Sequence, residues 1–342
     1  MTSGPQCDLL VLRQLGLQDL ARLPQAELDG LEPRLQQLAL RHGPEQLLRL
    51  LNRQRPPTPL ALLANSRDGA VAGALIAEPC NRRGSCWRID ALTVNAAVSN
   101  RSDASVLLIR DALNQVQGAV SWIARASIHD TALLSGLREQ GFQTLQQQRL
   151  WRLENSEQLE CSETLPQQLE LQPLNRSNAA LLLQLELSAT PAHLRQMQDL
   201  RSEDLLDDAL PGSLLLMDTQ RHQAVAAARL LRRSQHGSTE VELNLHPAWT
   251  QLLGPPLGRL LEQACRRSMP ITLRCDVRNS PGMAWLESQG AISLREELVL
   301  ARSLWRRQEL PAMGGLASRT LERLVGQLQP NQRPVPEAML WR

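Results

Sequence analysis

The sequence predicts a two-domain chain of the α+β or α/β class, and three observations carry the prediction. The first is internal repetition, which is sought before any other pattern. The stretch "AVSWIARASIHDTALLSGLREQGF" lies over "PITLRCDVRNSPGMAWLESQGA" without gaps, with Gly141 over Gly290, Arg125 over Arg274 and Leu137 over Leu286. Upstream, Ala70 falls over Ala224, and near the start Leu10 falls over Leu169, so the offset drifts from 149 through 154 to 159 residues. Small loop insertions in a duplicated unit produce such a drift. The second observation is that each half runs strands, then helix, then strand. The third is length: 342 residues suit two domains better than one.

Each half opens on a short apolar strand (Leu9–Arg13; Leu169–Gln172), followed by a long helical region (about 17–52; about 176–209). Ser177 is a candidate cap for the second of these, since its hydroxyl can accept a free N–H of the first turn. Two strands follow in each half, Pro59–Ala64 and Ala70–Glu78, then Ser213–Asp218 and Ala224–Arg232. A third is Trp87–Val94, matched by Val241–His246. The central helix comes next. Leu257, Leu260, Leu261, Ala264 and Cys265 recur at helical spacing, as do Ile109, Ala112, Leu113 and Val116. A buried strand, a short helix and a last strand close each half. The polar stretch Glu154–Pro166 reads as a linker. Expected boundaries are 1–153, 154–166, 167–306, and a 307–342 tail. In that tail Leu321, Leu324, Val325 and Leu328 share one helical face before a Pro-rich end. It either packs on the second domain or docks a protein partner through 316–328.

Composition narrows the chemistry. Formal charge is +2, and the arginines are scattered among acids, so neither nucleic acid nor an acidic membrane is an expected partner. All 37 basic residues are arginine, which excludes lysine Schiff-base chemistry and a lysine phosphate loop. Six cysteines form no C-x-x-C pair and have no histidine at ligand spacing, so no metal site is expected. The N-terminus shows no secretory pattern and no run approaches a membrane span, so the expected location is cytoplasmic.

Three segments carry a family resemblance: "LNLHPAWTQLLGPPLGRLLEQA", "DVRNSPGMAWLESQGA" and its fellow "IHDTALLSGLREQGF". In order, spacing and duplication they resemble the GNAT superfamily of acyl-CoA-dependent N-acetyltransferases, present twice. The resemblance implies two tandem domains, each a mixed, mostly antiparallel sheet flanked by helices. It implies acetyl-CoA as co-substrate, no metal, and an amine of a small molecule or peptide as acceptor. The family wraps the cofactor diphosphate in a Q/R-x-x-G-x-G/A loop at a helix N-terminus, where free N–H groups and the helix dipole favour an anion. Carried over, the cofactor-binding set is Leu245, His246, Gly254, Leu257, Gly258, Arg259, Leu260 and Asn279. The chain departs from the pattern at Leu253, where a basic residue would align, and at Pro256, which replaces a glycine and has no N–H. In the first half the matching stretch Ser99–Leu108 has no glycine, and Ser102 or Asp103 reads as the helix cap. That half is expected to be cofactor-free and to wall the substrate cleft.

Glu242 is the candidate base, with Glu240 on its face and Asp90 its loose counterpart in the first half. Either carboxylate could instead simply face solvent. His246 before Pro247 suits local hydrogen bonding, and Asn279 suits either the pantetheine arm or a helix cap. The family's acid tyrosine falls on Leu286 and Leu137, and the chain has no tyrosine at all. Trp249 and Trp285 read as core or cleft lining, and Cys265 and Cys275 as buried thiols. Two functions follow: an acetyl-CoA-dependent N-acetyltransferase with one site in the C-terminal half, or a non-catalytic GNAT-like protein that binds a ligand or a protein.

Overall fold

In the computed structural model, twelve strands join into one sheet, in the order β1-β2-β3-β4-β5-β12-β6-β11-β10-β9-β8-β7. The structure describes residues 10–303 apart from 52–56, 156–158, 162–163, 234–237 and 266–269. The tail helix and the partner segment 316–328 lie outside the described residues. In the first half β1 (Val11–Gln14), α1 (Glu32–Leu51), β2 (Leu60–Asn65), β3 (Val71–Pro79) and β4 (Cys86–Val94) come first. Then follow α2 (Arg101–Gln115), β5 (Ser121–Ser127), α3 (Thr131–Glu139) and β6 (Gln143–Leu153). The second half supplies β7 (Leu169–Pro173), α4 (Ala179–Ala189), α5 (Ala192–Gln198), α6 (Ser202–Asp207), β8 (Leu214–Asp218) and β9 (Gln223–Arg233). It ends with β10 (Thr239–Leu245), α7 (Pro255–Cys265), β11 (Ile271–Asp276), α8 (Ser280–Ser288) and β12 (Ile292–Ser303).

The expected long helical region at 17–52 is shorter than its sequence pattern, because two 3₁₀ turns (Leu17–Asp19, Leu23–Gln25) precede α1. The region 176–209 breaks at Pro191 and at Asp199, whose φ is 47°, giving three short helices. Asn178 rather than Ser177 holds the N-cap position of α4, though its side chain accepts from Asn175 N and not from the helix, and the Ser177 hydroxyl donates to Asn175 Oδ1 (2.5 Å). Asn100 caps α2, accepting from Ser102 N (3.1 Å), so Ser102 and Asp103 lie in the first turn. The repeat is legible at atomic level: Asp130 Oδ1 accepts from Leu133 N and Asn279 Oδ1 from Gly282 N, each at 3.1 Å.

Alternation along the strands separates two faces. On one, Trp122, Leu137 and Leu108 pack α2 and α3, and Val241, Leu257, Leu261 and Trp285 pack α7 and α8. On the other, α1 covers Leu63, Ala74 and Ile76, while α4 and α6 cover Leu215 and Ala227. The halves trade their last strands. β12 inserts beside β5, pairing Leu300 with Ala124, and β6 lies against β11, pairing Trp151 with Leu273. The sheet also curls. Arg232 on β9 reaches Asp90 on β4 at 2.6 Å, although six strand spacings in a flat sheet would separate them by about 29 Å. The α5–α6 segment closes the curl: Arg82 N donates to Asp204 Oδ1 (2.8 Å), and Asn81 Nδ2 to Gln198 O (3.0 Å).

Candidate active site

The site begins where two parallel strands part. β10 and β11 pair from Thr239–Ile271 to Val241–Leu273. Beyond that point Glu242–Leu245 bond only to β9, and Arg274–Asp276 only to β6. The slot between them opens on both faces of the sheet. On the α7/α8 face a cavity of about 150 Å³ is walled by Leu243, Leu245, Leu253, Leu257, Leu273 and Trp285. On the α4 face a cavity of about 200 Å³ is lined by Glu186, Thr190, Glu242, Asn244, Gln148 and Arg125. Leu243, Asn244, Arg274, Cys275 and Asn279 border both. The first half parts in the same way after Ile89–Ala124.

The strand period sends Glu240, Glu242 and Asn244 to the α4 face. Glu242 does line that cavity, but it is ion-paired to Arg229, whose side chain is buried and also donates to Leu205 O (3.3 Å). Glu240 is engaged by Arg232 (3.2 Å) and by Arg274. Burial would raise its carboxyl, yet Arg274 and Arg232 outweigh burial and hold it below the ordinary range. Asp90 is enclosed by Arg34, Arg88 (3.2 Å) and Arg232 (2.6 Å).

Glu186 was not among the sequence candidates. It sits on α4 behind Leu182 and Leu185, its carboxylate accepting from Asn244 Nδ2 and from Thr190 Oγ1 (3.0 Å). Burial, reinforced by the negative charge of Glu242, pushes its carboxyl up to about 7. A carboxyl tuned near neutrality and lining a cavity has the profile of an acid–base group. The available signal was a lone acid in the apolar run "LLLQLEL".

The cofactor set divides. Leu245, Leu257 and Asn279 line the slot, Asn279 while capping α8. Leu260 is fully buried under α7, so its side chain packs and offers nothing to a ligand. His246 caps a 3₁₀ turn, its Nδ1 accepting from Ala248 N (3.2 Å). Arg259 pairs with Glu262 (2.8 Å) within α7. Pro255 and Pro256 remove two N–H groups from the helix start, and Gly258 N donates to Gly254 O (2.9 Å). A Cβ on Gly258 would stand 2.2 Å from Glu160 O, so the linker backbone already occupies that side of the helix. Gly254, at φ +143°, faces open space. This helix start therefore offers a diphosphate few free N–H groups, while the slot beside it is open and largely apolar. In the first half, Asn100 and Asp103 stand at the corresponding helix start, without a glycine.

Trp249 and Trp285 are core residues, and burial pushes the thiols of Cys265 and Cys275 up to about 12 and about 11. No helix among the described residues is long and apolar enough to cross a membrane.

No protein-family model matches the sequence, and no curated protein matches it. Solved structures do resemble it. A GCN5-related N-acetyltransferase from Sphaerobacter thermophilus aligns over 86% of this chain and 95% of its own, at TM-score 0.51 and 12% identity. A tandem GNAT protein from the clavulanic acid biosynthesis pathway, solved without AcCoA, aligns over 86% and 98%, at 0.50 and 14%. The glucosamine N-acetyltransferase region of a fungal multi-domain GH3 β-N-acetylglucosaminidase aligns over 87% of this chain and 38% of that one, at 0.56 and 11%. The chain therefore has the GNAT fold in tandem, a mixed and mostly antiparallel sheet flanked by helices.

Proposed function

We propose that the chain is an acyltransferase that moves an acyl group from a thioester to an amine at the β10/β11 slot. The observation that carries this reading is the slot itself. It joins an apolar cavity on one face to an acidic cavity on the other, with Glu186 at the acceptor side. The thioester arm enters from the α7/α8 face and the amine from the α4 face, and holding them in one slot supplies the proximity term. The amine nitrogen attacks the thioester carbon, the C–N bond forms, and the C–S bond breaks. Glu186 takes the proton the nitrogen loses, and the departing thiolate takes one from water. Leu286, buried at the position that the family's tyrosine acid would occupy, contributes none.

The other reading is a GNAT-like protein that binds a small ligand or a protein without catalysis. It is favoured by the two prolines and by Glu160 lying against Gly258. Isothermal titration with acetyl-CoA and with S-acetylpantetheine separates the two, followed by thiol release in the presence of an amine panel. Transfer from either donor supports the enzyme. Absence of heat from both at millimolar concentration overturns it.

A further inference from the structure

The repeat brings two arginines to equivalent places and treats them differently. The last parallel pairs, Ile89–Ala124 and Val241–Leu273, make Arg88 equivalent to Glu240 and Arg125 equivalent to Arg274. Arg274 therefore meets an acid, Glu240, and a second acid in Glu297 (2.9 Å). Arg125 meets Arg88 instead. Among the described residues no ion pair or hydrogen bond reaches its guanidinium, and its Nε is sealed from water without a partner. Its neighbours Arg88, Arg229, Arg232 and Arg274 all have carboxylates.

We propose that Arg125 is the carboxylate-binding residue of the acceptor cavity, and that the acceptor is a small amino acid. This rests on the acyl-transfer reading of the same slot. Arg125 belongs to the first half, yet it lines the about 200 Å³ cavity that holds Glu186 and Glu242. The curl and the strand exchange put it there. A half-buried guanidinium that no carboxylate contacts is left partly uncompensated, and a ligand carboxylate would complete it in a forked, charge-assisted pair. Burial, with repulsion from Arg274 and Arg88, outweighs the attraction of Glu240 and Glu242 and lowers Arg125 to about 10. In the same cavity Gln148 Oε1 is a buried acceptor without a donor. An amino acid brings both missing partners, a carboxylate for Arg125 and N–H groups for Gln148 Oε1 and Glu186. The cavity size suits a single amino acid rather than a peptide.

The test is binding, measured by saturation-transfer NMR and calorimetry on the full chain. The probes are the twenty L-amino acids, β-alanine and 4-aminobutyrate, each set against its decarboxylated amine. At least one acid should bind, with its amine about 10- to 100-fold weaker, the range for a hydrogen bond to a charged group. Arg125→Met should abolish that preference, and Arg125→Lys should restore part of it. The Tm of Arg125→Met should be unchanged or higher, since a half-buried charge with no ion-pair partner is removed. Equal binding of acids and amines, retention of the preference in Arg125→Met, or no binding by any amino acid overturns the proposal. Carboxylate-dependent binding without acyl transfer would leave this site standing and remove the enzymatic reading instead.

Discussion

The carbonyl oxygen of Glu160 stands 2.2 Å from where a Cβ on Gly258 would be, so the linker and α7 meet backbone to backbone. Gln289 Oε1 accepts from Glu160 N (2.6 Å) and Leu159 is buried in the same core, which fixes the linker there. Gly258→Ala should therefore destabilise the protein by about 1–3 kcal/mol in urea titrations, the overpacking range. Gly254→Ala would meet nothing in space, but at φ +143° it carries the strain of a glycine-only backbone conformation, about 1–3 kcal/mol. A neutral Gly258→Ala would mean that the linker is not seated against α7. A bulkier Gly258→Glu would likewise report on linker packing, not on cofactor binding.

The same contact predicts donor selectivity. With two N–H groups lost to Pro255 and Pro256 and Arg259 held by Glu262, the diphosphate of acetyl-CoA gains little at α7. S-acetylpantetheine should reach a kcat/KM within about tenfold of acetyl-CoA, a transition-state difference under about 1.4 kcal/mol. A hundredfold preference for acetyl-CoA would show that the helix start still holds the diphosphate.

Much of this was legible in the sequence, and the misses have physical causes. The repeated Asp130 and Asn279 are both caps, because a short polar residue before a helix has one good use. The caps at Asn178 and Asn100 were missed by one to three residues, since Ser and Asn compete for the same role. The strand exchange left no local trace: β6 and β12 would read the same in either pairing. Glu186 was hidden by apolar neighbours, and Arg125 became informative only once Arg88 was known to face it.

Glu186 predicts two pH effects. Its carboxyl rises from 4.5 to about 7 on folding, so the group favours the fold below 4.5 and that contribution is lost as pH climbs to about 7. Glu186→Gln keeps the uncharged form. Its stability relative to wild type should grow by up to about 3 kcal/mol between those pH values, in urea titrations across the range. Acyl transfer by wild type should rise with pH to about 7 and level off. The variant should lose that limb and about 10²- to 10⁴-fold in rate. An unchanged profile in the variant would remove Glu186 as the base.

Asp90 predicts the opposite sign. Burial raises its carboxyl, but Arg232, Arg88 and Arg34 outweigh burial and hold it well below the usual carboxylate range. Its stabilising contribution is present above its ordinary 3.8 and is lost as pH falls below that. Asp90→Asn leaves those arginines short of a counter-charge and should cost about 3–5 kcal/mol at neutral pH, as breaking a buried pair does. The loss should shrink in acid, where wild type forfeits the same term. Denaturant titrations at pH 7 and pH 3 check both statements.

The exchange of β6 and β12 predicts how the chain unfolds. Each half's last strand is buried against the other half, through Leu300–Ala124 and Trp151–Leu273, and Arg232–Asp90 ties the two across the curl. Neither half can complete its own sheet, and a half expressed alone presents β5 or β11 as an uncovered edge, a template for aggregation. Residues 1–166 and 167–342 should therefore be insoluble apart, and recover together when co-expressed. The intact chain should show one calorimetric transition with equal calorimetric and van't Hoff enthalpies. Two separable transitions, or a soluble folded half, would mean that the strands pair within their own halves.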